Sequence, residues 1–199
     1  MKLIGVTGGI GMGKSTAGDL LRSSAVSVLD TDVLAREATE IGQPALEDIH
    51  SAFGSRYFAS DGSLNRRLLA DLVFRDAGSR KRLEAILHPR IEVVWRKIVA
   101  SWAESSVVCG AVVIPLLFEK DYQFSFDVTV CLACSANEQL RRLRHRGWSD
   151  AEITARNQAQ WPVDQKIQLS RFLIWTEGSL GTHHNQWQLI LSELGCGEG

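Results

Sequence analysis

Gly8-Gly9-Ile10-Gly11-Met12-Gly13-Lys14-Ser15, with Thr16 behind it, decides the fold. The octet matches G-x-x-x-x-G-K-[ST] in full. A short apolar run, Lys2-Leu3-Ile4-Gly5-Val6-Thr7, precedes it, and Lys14 to Arg22 has a helical composition. Strand, glycine loop and helix in that order form what a polyphosphate needs. Glycine lets backbone wrap closely at φ values other residues avoid. Successive N–H groups and the helix N-terminus then concentrate positive field in a small volume. On this reading Gly9, Gly11, Met12 and Gly13 cradle the phosphates, and Lys14 reaches the β- and γ-phosphates. Ser15 ligates Mg²⁺ carried by a nucleoside triphosphate, and Thr16 helps hold the α-phosphate.

Working outward, Ser27-Val28-Leu29-Asp30 reads as a second strand. Two strands around one helix make a βαβ unit and hence a parallel sheet. Residues from about 33 to 104 read as mostly helical, with Pro44 opening a helix to Phe53 and Ser63 or Asn65 capping Arg66 to Phe74. Leu83, Ile86 and Leu87, then Ile91, Val94, Trp95, Ile98 and Trp102 beyond Pro89, recur at helical spacing. Val107 to Ile114 and Phe126 to Leu132 are near-continuous apolar runs, as strands buried on both faces require. Ala136 to Arg144 and Asp150 to Gln158 read as helices, Phe172 to Trp175 as a last strand and Gln186 to Leu194 as a last helix. His183-His184 is then placed in a late polar loop, and residues 195–199 are expected to fray.

The 199 residues favour one domain, long enough to bury a core without disulfides or metal. Hydrophobic residues at 45% and charged residues at 23% exclude disorder and fibrous repeats. A formal net charge of −1 lacks the basic excess of a nucleic-acid binder. The four cysteines, Cys109, Cys131, Cys134 and Cys196, lack a second pair at zinc spacing and read as buried thiols in a reducing cytoplasm. The longest apolar stretch, Val107 to Phe118, is too short to span a bilayer.

Among triphosphate-using proteins, a GTPase would show N-K-x-D, which is absent from the chain. A small-molecule kinase needs a carboxylate near the acceptor hydroxyl and cations over the moving phosphoryl. Asp30 and Asp32 end the second strand at the carboxyl edge where such sheets bind ligands. Arg141, Arg142, Arg144 and Arg146 cluster before Gly147 as a basic lid, with Arg142 and Arg146 one helical turn apart.

Thr7-Gly-Gly-Ile-Gly-x-Gly-Lys-Ser15, Asp30-x-Asp32-x-x-Ala35-Arg36, Leu87-His88-Pro89 and Pro115-Leu-Leu-Phe-Glu119 follow one another here. Gln139-x-x-Arg142-Leu-x-x-Arg146, Arg156-x-x-x-Gln160 and Lys166 come after them. The set resembles the dephospho-CoA kinase family from about residue 3 to 178. The resemblance implies transfer of the γ-phosphoryl group of ATP, with Mg²⁺, to the ribose 3′-hydroxyl of dephospho-CoA. CoA and ADP result, in the last step of coenzyme A biosynthesis. It implies an α/β, three-layer P-loop kinase fold with a five-stranded parallel sheet flanked by helices. A helical CoA-binding subdomain near 33–104 and a lid near 139–160 would lie within one domain spanning 1–199. It assigns Asp32 as base or hydroxyl orienter and Lys14, Arg142 and Arg146 to the phosphoryl group. Asp32, Arg36, His88, Pro115, Leu116, Phe118 and Glu119 would shape the acceptor site. A cytoplasmic monomer or weak homo-oligomer is expected, with no nucleic-acid or membrane partner. Departures from the family pattern are Arg171 in place of an acid and Thr176 in place of asparagine. A P-loop kinase for another small acceptor, a nucleoside monophosphate or a sugar, is the competing reading. A non-enzymatic nucleotide-binding module is the third.

Overall fold

The computed structural model describes residues 1–196, so the fraying expected of 197–199 lies outside the described residues. The chain divides into two compact units, Met1–Asp30 with Val99–Gly199, and Thr31–Ile98.

The first unit is a parallel five-stranded sheet in the order β2-β3-β1-β4-β5. Its strands are β1 (Lys2–Gly8), β2 (Ser27–Asp30), β3 (Cys109–Val113), β4 (Val128–Ala133) and β5 (Phe172–Trp175). β1 is central: Ile4 lies opposite Ala111 on one side and Val128 on the other. Every residue of β3 and β4 is buried, which is why these runs are continuously apolar instead of alternating. α1 (Lys14–Ser23) and α9 (Leu180–Glu193) supply Ala17, Leu21, Trp187 and Leu191 to the same core as Ile4 and Val130. Fully burying each such Leu or Ile contributes about 1.5–3 kcal/mol. The sheet ends at β5, where the Gln186 side-chain amide accepts from Trp175 N and donates to Trp175 O, both at 2.9 Å.

α6 (Ala136–His145) and α7 (Asp150–Gln158) form a helical pair joined through Gly147. Ser135 caps the first, and Ser149 with Glu152 forms a capping box on the second. Arg146 is the C-cap of α6 and not a helical residue, so it leaves the helix one turn after Arg142. α8 (Val163–Leu169) follows.

The second unit is helical. It holds α2 (Thr31–Glu37), α3 (Pro44–Phe53), α4 (Arg66–Arg75) and most of α5 (Ala77–Glu104). Its own core gathers Ile49, Tyr57, Leu69 and Val73, with Leu83, Ile86 and Leu87 packed against it. Asn65, not Ser63, caps α4, accepting from Leu68 N at 3.0 Å. The Leu83–Trp102 pattern forms one continuous helix with Pro89 inside it. Pro89 removes a single i→i−4 bond, and apolar packing on both sides of it outweighs that loss.

Strand ends differ from the sequence reading by one or two residues, and the last helix by more. The last helix begins at Leu180, not Gln186, because the Ser179 side chain accepts from Thr182 N. Gly181, Thr182 and His184 are poor helix formers that hid this start. His183-His184 is therefore in the opening turns of α9 and not in a loop.

Candidate active site

The glycine loop turns sharply between β1 and α1. Gly13, the N-cap of α1, has φ 85°, in the left-handed region. Gly8 has φ 145°, and a Cβ there would meet Leu132 O at 2.5 Å. Both positions require glycine on geometry alone. Met12 is 4% exposed and packs with Ala133, Cys134, Val163 and Ile167, so its side chain anchors the loop while its backbone stays in the turn. Lys14 Nζ donates to Gly8 O and Gly9 O, each at 2.9 Å, and so lies across the loop where phosphate oxygens would be held. Ser15 and Thr16 are exposed at the first turn of α1.

Beside the loop opens a cavity of about 270 Å³ lined by Gly11, Gly13, Thr16, Arg142, Arg146, Thr176, Gly178, Ser179, Leu180 and His183. Its size is near the lower end of the ~300–1,000 Å³ of ligand pockets. α6 roofs this side. Gln139 Nε2 donates to Ile10 O at 2.8 Å and to Asn157 Oδ1 at 3.2 Å. Arg142 Nη2 donates to Thr176 O at 2.6 Å, Nη1 to Thr176 Oγ1 at 3.0 Å, and Nε to Glu138 at 2.7 Å. Hydrogen bonding from Arg141, and next from Arg142, holds the Glu138 carboxyl down at about 2. Glu177 accepts from Ser135 N at 2.9 Å and Ser135 Oγ at 3.1 Å, tying the loop after β5 to the start of α6. His183 is 4% exposed. Burial, and secondly the Arg142 guanidinium, hold its pKa below the ordinary value, so the ring is neutral at pH 7.

The segment after β3 is fixed from beneath. Thr7 Oγ1 and Lys166 Nζ both donate to Pro115 O, at 3.2 Å and 2.6 Å. Lys166 is fully buried and pairs with Glu119 Oε1 at 2.7 Å. The same oxygen accepts from Trp161 N at 2.9 Å. Pro115 and Leu116 are half-buried, while Phe118 is 2% exposed and packs inward. Glu119 thus braces the start of α8 against the segment after β3.

In the helical unit, Asp32 and Arg36 are exposed and one turn apart on α2. Arg66 Nη2 donates to Arg36 O at 2.8 Å and to Thr39 Oγ1 at 3.2 Å, which fixes the end of α2. His88 is half-buried on α5, next to Pro89. All four cysteines are free; Cys109, Cys131 and Cys134 are buried as read, while Cys196 is only partly buried, and burial pushes Cys131 up to about 11.

A family model described as dephospho-CoA kinase matches residues 2–181. The chain belongs to the dephospho-CoA kinase family. A dephospho-CoA kinase of Anaeromyxobacter dehalogenans is 38% identical over 200 positions, covering 100% of this chain and 95% of that protein. One from Bdellovibrio bacteriovorus is 36% identical, covering 87% of each. A crystal structure from Thermus thermophilus has a TM-score of 0.78 at 35% identity and covers 97% of both chains. The dephospho-CoA kinase of Campylobacter jejuni has a TM-score of 0.68 at 23% identity over 98% of both chains, and it supports the fold.

As a dephospho-CoA kinase family member, the chain joins the kinases that use ATP as phosphoryl donor. Among the described residues no group of three or more His, Cys, Asp or Glu side chains could hold a metal ion by itself. The exposed Ser15 hydroxyl fits Mg²⁺, which is bound through one or two protein oxygens plus substrate phosphates and waters. The family resemblance singled out Thr176 as a departure, while sequence reasoning missed Gly178, Ser179, Leu180 and His183 in the same wall. A strand followed by Thr-Glu-Gly-Ser is a readable signal for a turn and an N-cap, and with α9 started correctly His183 faces inward.

Proposed function

We propose that this chain phosphorylates the ribose 3′-hydroxyl of dephospho-CoA with ATP, giving CoA and ADP. The observation that carries the reading is the glycine loop, with Lys14 across it and a cavity of about 270 Å³ opening beside Gly13 and Thr16. With the phosphates on the loop amides, the nucleoside enters that cavity. Gly9, Gly11, Met12 and Gly13 supply backbone N–H groups, Lys14 bridges the β- and γ-phosphates, and Thr16 holds the α-phosphate. Ser15 Oγ, with the phosphate oxygens, would hold Mg²⁺, which would supply neutralisation of the triphosphate's charge. Asp32 takes the proton of the acceptor hydroxyl as its oxygen bonds to the γ-phosphorus. The bond from that phosphorus to the β–γ bridging oxygen breaks, and ADP leaves. Lys14, Arg142 and Arg146 offset the charge spread over the transferring group. Arg36, His88 and the segment Pro115–Leu116–Phe118–Glu119 shape the acceptor site. Residues 33–104 act as a CoA-binding subdomain and 139–160 as a lid, within a single kinase domain over 1–199. The enzyme works in the cytoplasm as a monomer or weak homo-oligomer, without nucleic acid. Among the described residues no helix is long and apolar enough to cross a membrane.

Asp32→Asn tests the mechanism. Turnover with dephospho-CoA, read as CoA by mass, should fall about 10²- to 10⁴-fold with ATP affinity little changed. Undiminished turnover removes Asp32 from the reaction. ATP turnover that ignores dephospho-CoA but responds to a nucleoside monophosphate or a sugar replaces the acceptor.

A further inference from the structure

Three features of the sheet unit stand outside the mechanism. The Cys109 and Cys196 thiols adjoin each other, Leu173 and Trp175 are exposed on edge strand β5, and His183 lies in the wall of the nucleotide cavity. The third goes furthest. His183 is 4% exposed, and its Nε2 is buried with no hydrogen-bond partner among the described residues. Leaving a buried polar atom unsatisfied is costly, and such atoms in native proteins call for an explanation. Trp187 Nε1, one turn further on, is also unpartnered, but Trp187 does not line the cavity. His183 does, with Gly13, Thr16 and Arg142 also in the lining.

We infer that His183 reads the base of the nucleoside triphosphate, hydrogen-bonding through a ring nitrogen to the 6-position edge of a purine. This rests on the proposed binding of ATP with its phosphates on the glycine loop. Phosphates held there fix one end of the nucleotide, and the cavity running toward α9 receives the other. The ribose then lies nearer Thr16, and the purine edge opposite the glycosidic bond points to the far wall. A neutral imidazole suits that edge, because one nitrogen accepts while the other donates. Adenine offers an amino group at position 6 as donor. The χ2 torsion of histidine has two broad minima about half a turn apart, so a nitrogen can be turned to the cavity while α9 stays in place. A leucine here would be better satisfied in the unliganded fold, so histidine is explained by a polar ligand atom.

The test pairs a change in the protein with a change in the ligand. Direct binding of ATP and of purine riboside triphosphate, which lacks the 6-amino group, is measured without acceptor on the wild type, His183→Leu and His183→Gln. Wild type should prefer ATP by about three- to tenfold, the worth of one hydrogen bond. In His183→Leu that ratio should collapse toward one while the melting temperature rises, because the orphaned nitrogen is gone. His183→Gln, which keeps a donor and an acceptor, should retain most of the preference. A role confined to packing moves the melting temperature and leaves the ratio intact, and that result overturns the inference while the kinase reading stands. A wild type that does not distinguish the two nucleotides overturns it as well. Failure of the wild type to bind ATP at all sinks both.

Discussion

At the scale of single residues, Glu138 controls more than its own charge. It holds Arg141 through two 2.7 Å bonds and Arg142 through a third, and Arg142 in turn braces Thr176 in the cavity wall. Its folded pKa of about 2 is below the ordinary carboxyl value of 4.5. The folded state thus binds fewer protons than the unfolded one between those values, and stability falls as pH drops through that window. The stabilisation is fully present above pH 4.5. Acid denaturation of Glu138→Gln should accordingly show a shallower decline than wild type below pH 4.5; parallel curves would show that Glu138 does not contribute. His183 adds a limb of its own. Its depressed pKa means the unfolded chain takes up the proton first, so stability is lost as pH falls below the ordinary histidine value of 6.5. The glycine loop was readable in the sequence because its turn demands fixed residue types at fixed spacing. Ser179 and His183 in the cavity wall were not, since a cavity wall asks for a shape and a stray polar atom, which many residue types provide.

At the scale of elements, the β3–α8 junction depends on one buried ion pair. Lys166 is 0% and Glu119 11% exposed, with Glu119 Oε2 already lacking a partner among the described residues. Removing one member of such a pair leaves an uncompensated buried charge, at a typical cost of about 3–5 kcal/mol. Set against a total stability of roughly 5–15 kcal/mol, that is severe. Urea denaturation of Lys166→Met should show a loss of that order, and Lys166→Met with Glu119→Leu should recover most of it. Equal losses in both variants would assign the effect to packing instead. α1, α3 and α7 were legible because each opens on a strong local signal: the glycine turn, Pro44, and Ser149 with Glu152. α9 was legible only in its apolar half, because its first two turns carry polar residues whose helicity comes from the Ser179 cap and from docking against the sheet.

At the scale of the molecule, the parallel sheet brings the carboxyl ends of β1, β3, β4 and β5 to one edge. The loop after β1, the segment after β3, α6 after β4 and the Thr176 turn after β5 all start there. Residues far apart in sequence thereby share a cavity, as Gly11 and His183 do. A ligand bridging them should protect them together. Hydrogen exchange with saturating ATP should slow at 8–16, 139–147 and 176–183 as a group, because binding removes the local openings that expose those amides. Slowing confined to 8–16 would place the nucleoside outside the cavity. The sheet itself was readable, since β1, β3 and β4 are flagged by β-branched runs, β2 by a Val-Leu pair before Asp30, and β5 by a strand-sized apolar quartet before a glycine turn. The strand order was not, because order is set by which helices cover which face.

The amide of Gln186 has a further consequence for the life of the protein in a crowded cell. An uncovered edge strand is a template on which another chain can extend the ladder, the first step toward fibrillar aggregates. At Trp175 that template is already occupied, because Gln186 answers the outward N–H and C=O as a sixth strand would. One side chain on a neighbouring helix terminates the sheet in solution, guarding a strand whose exposed Leu173 and Trp175 would otherwise invite self-association.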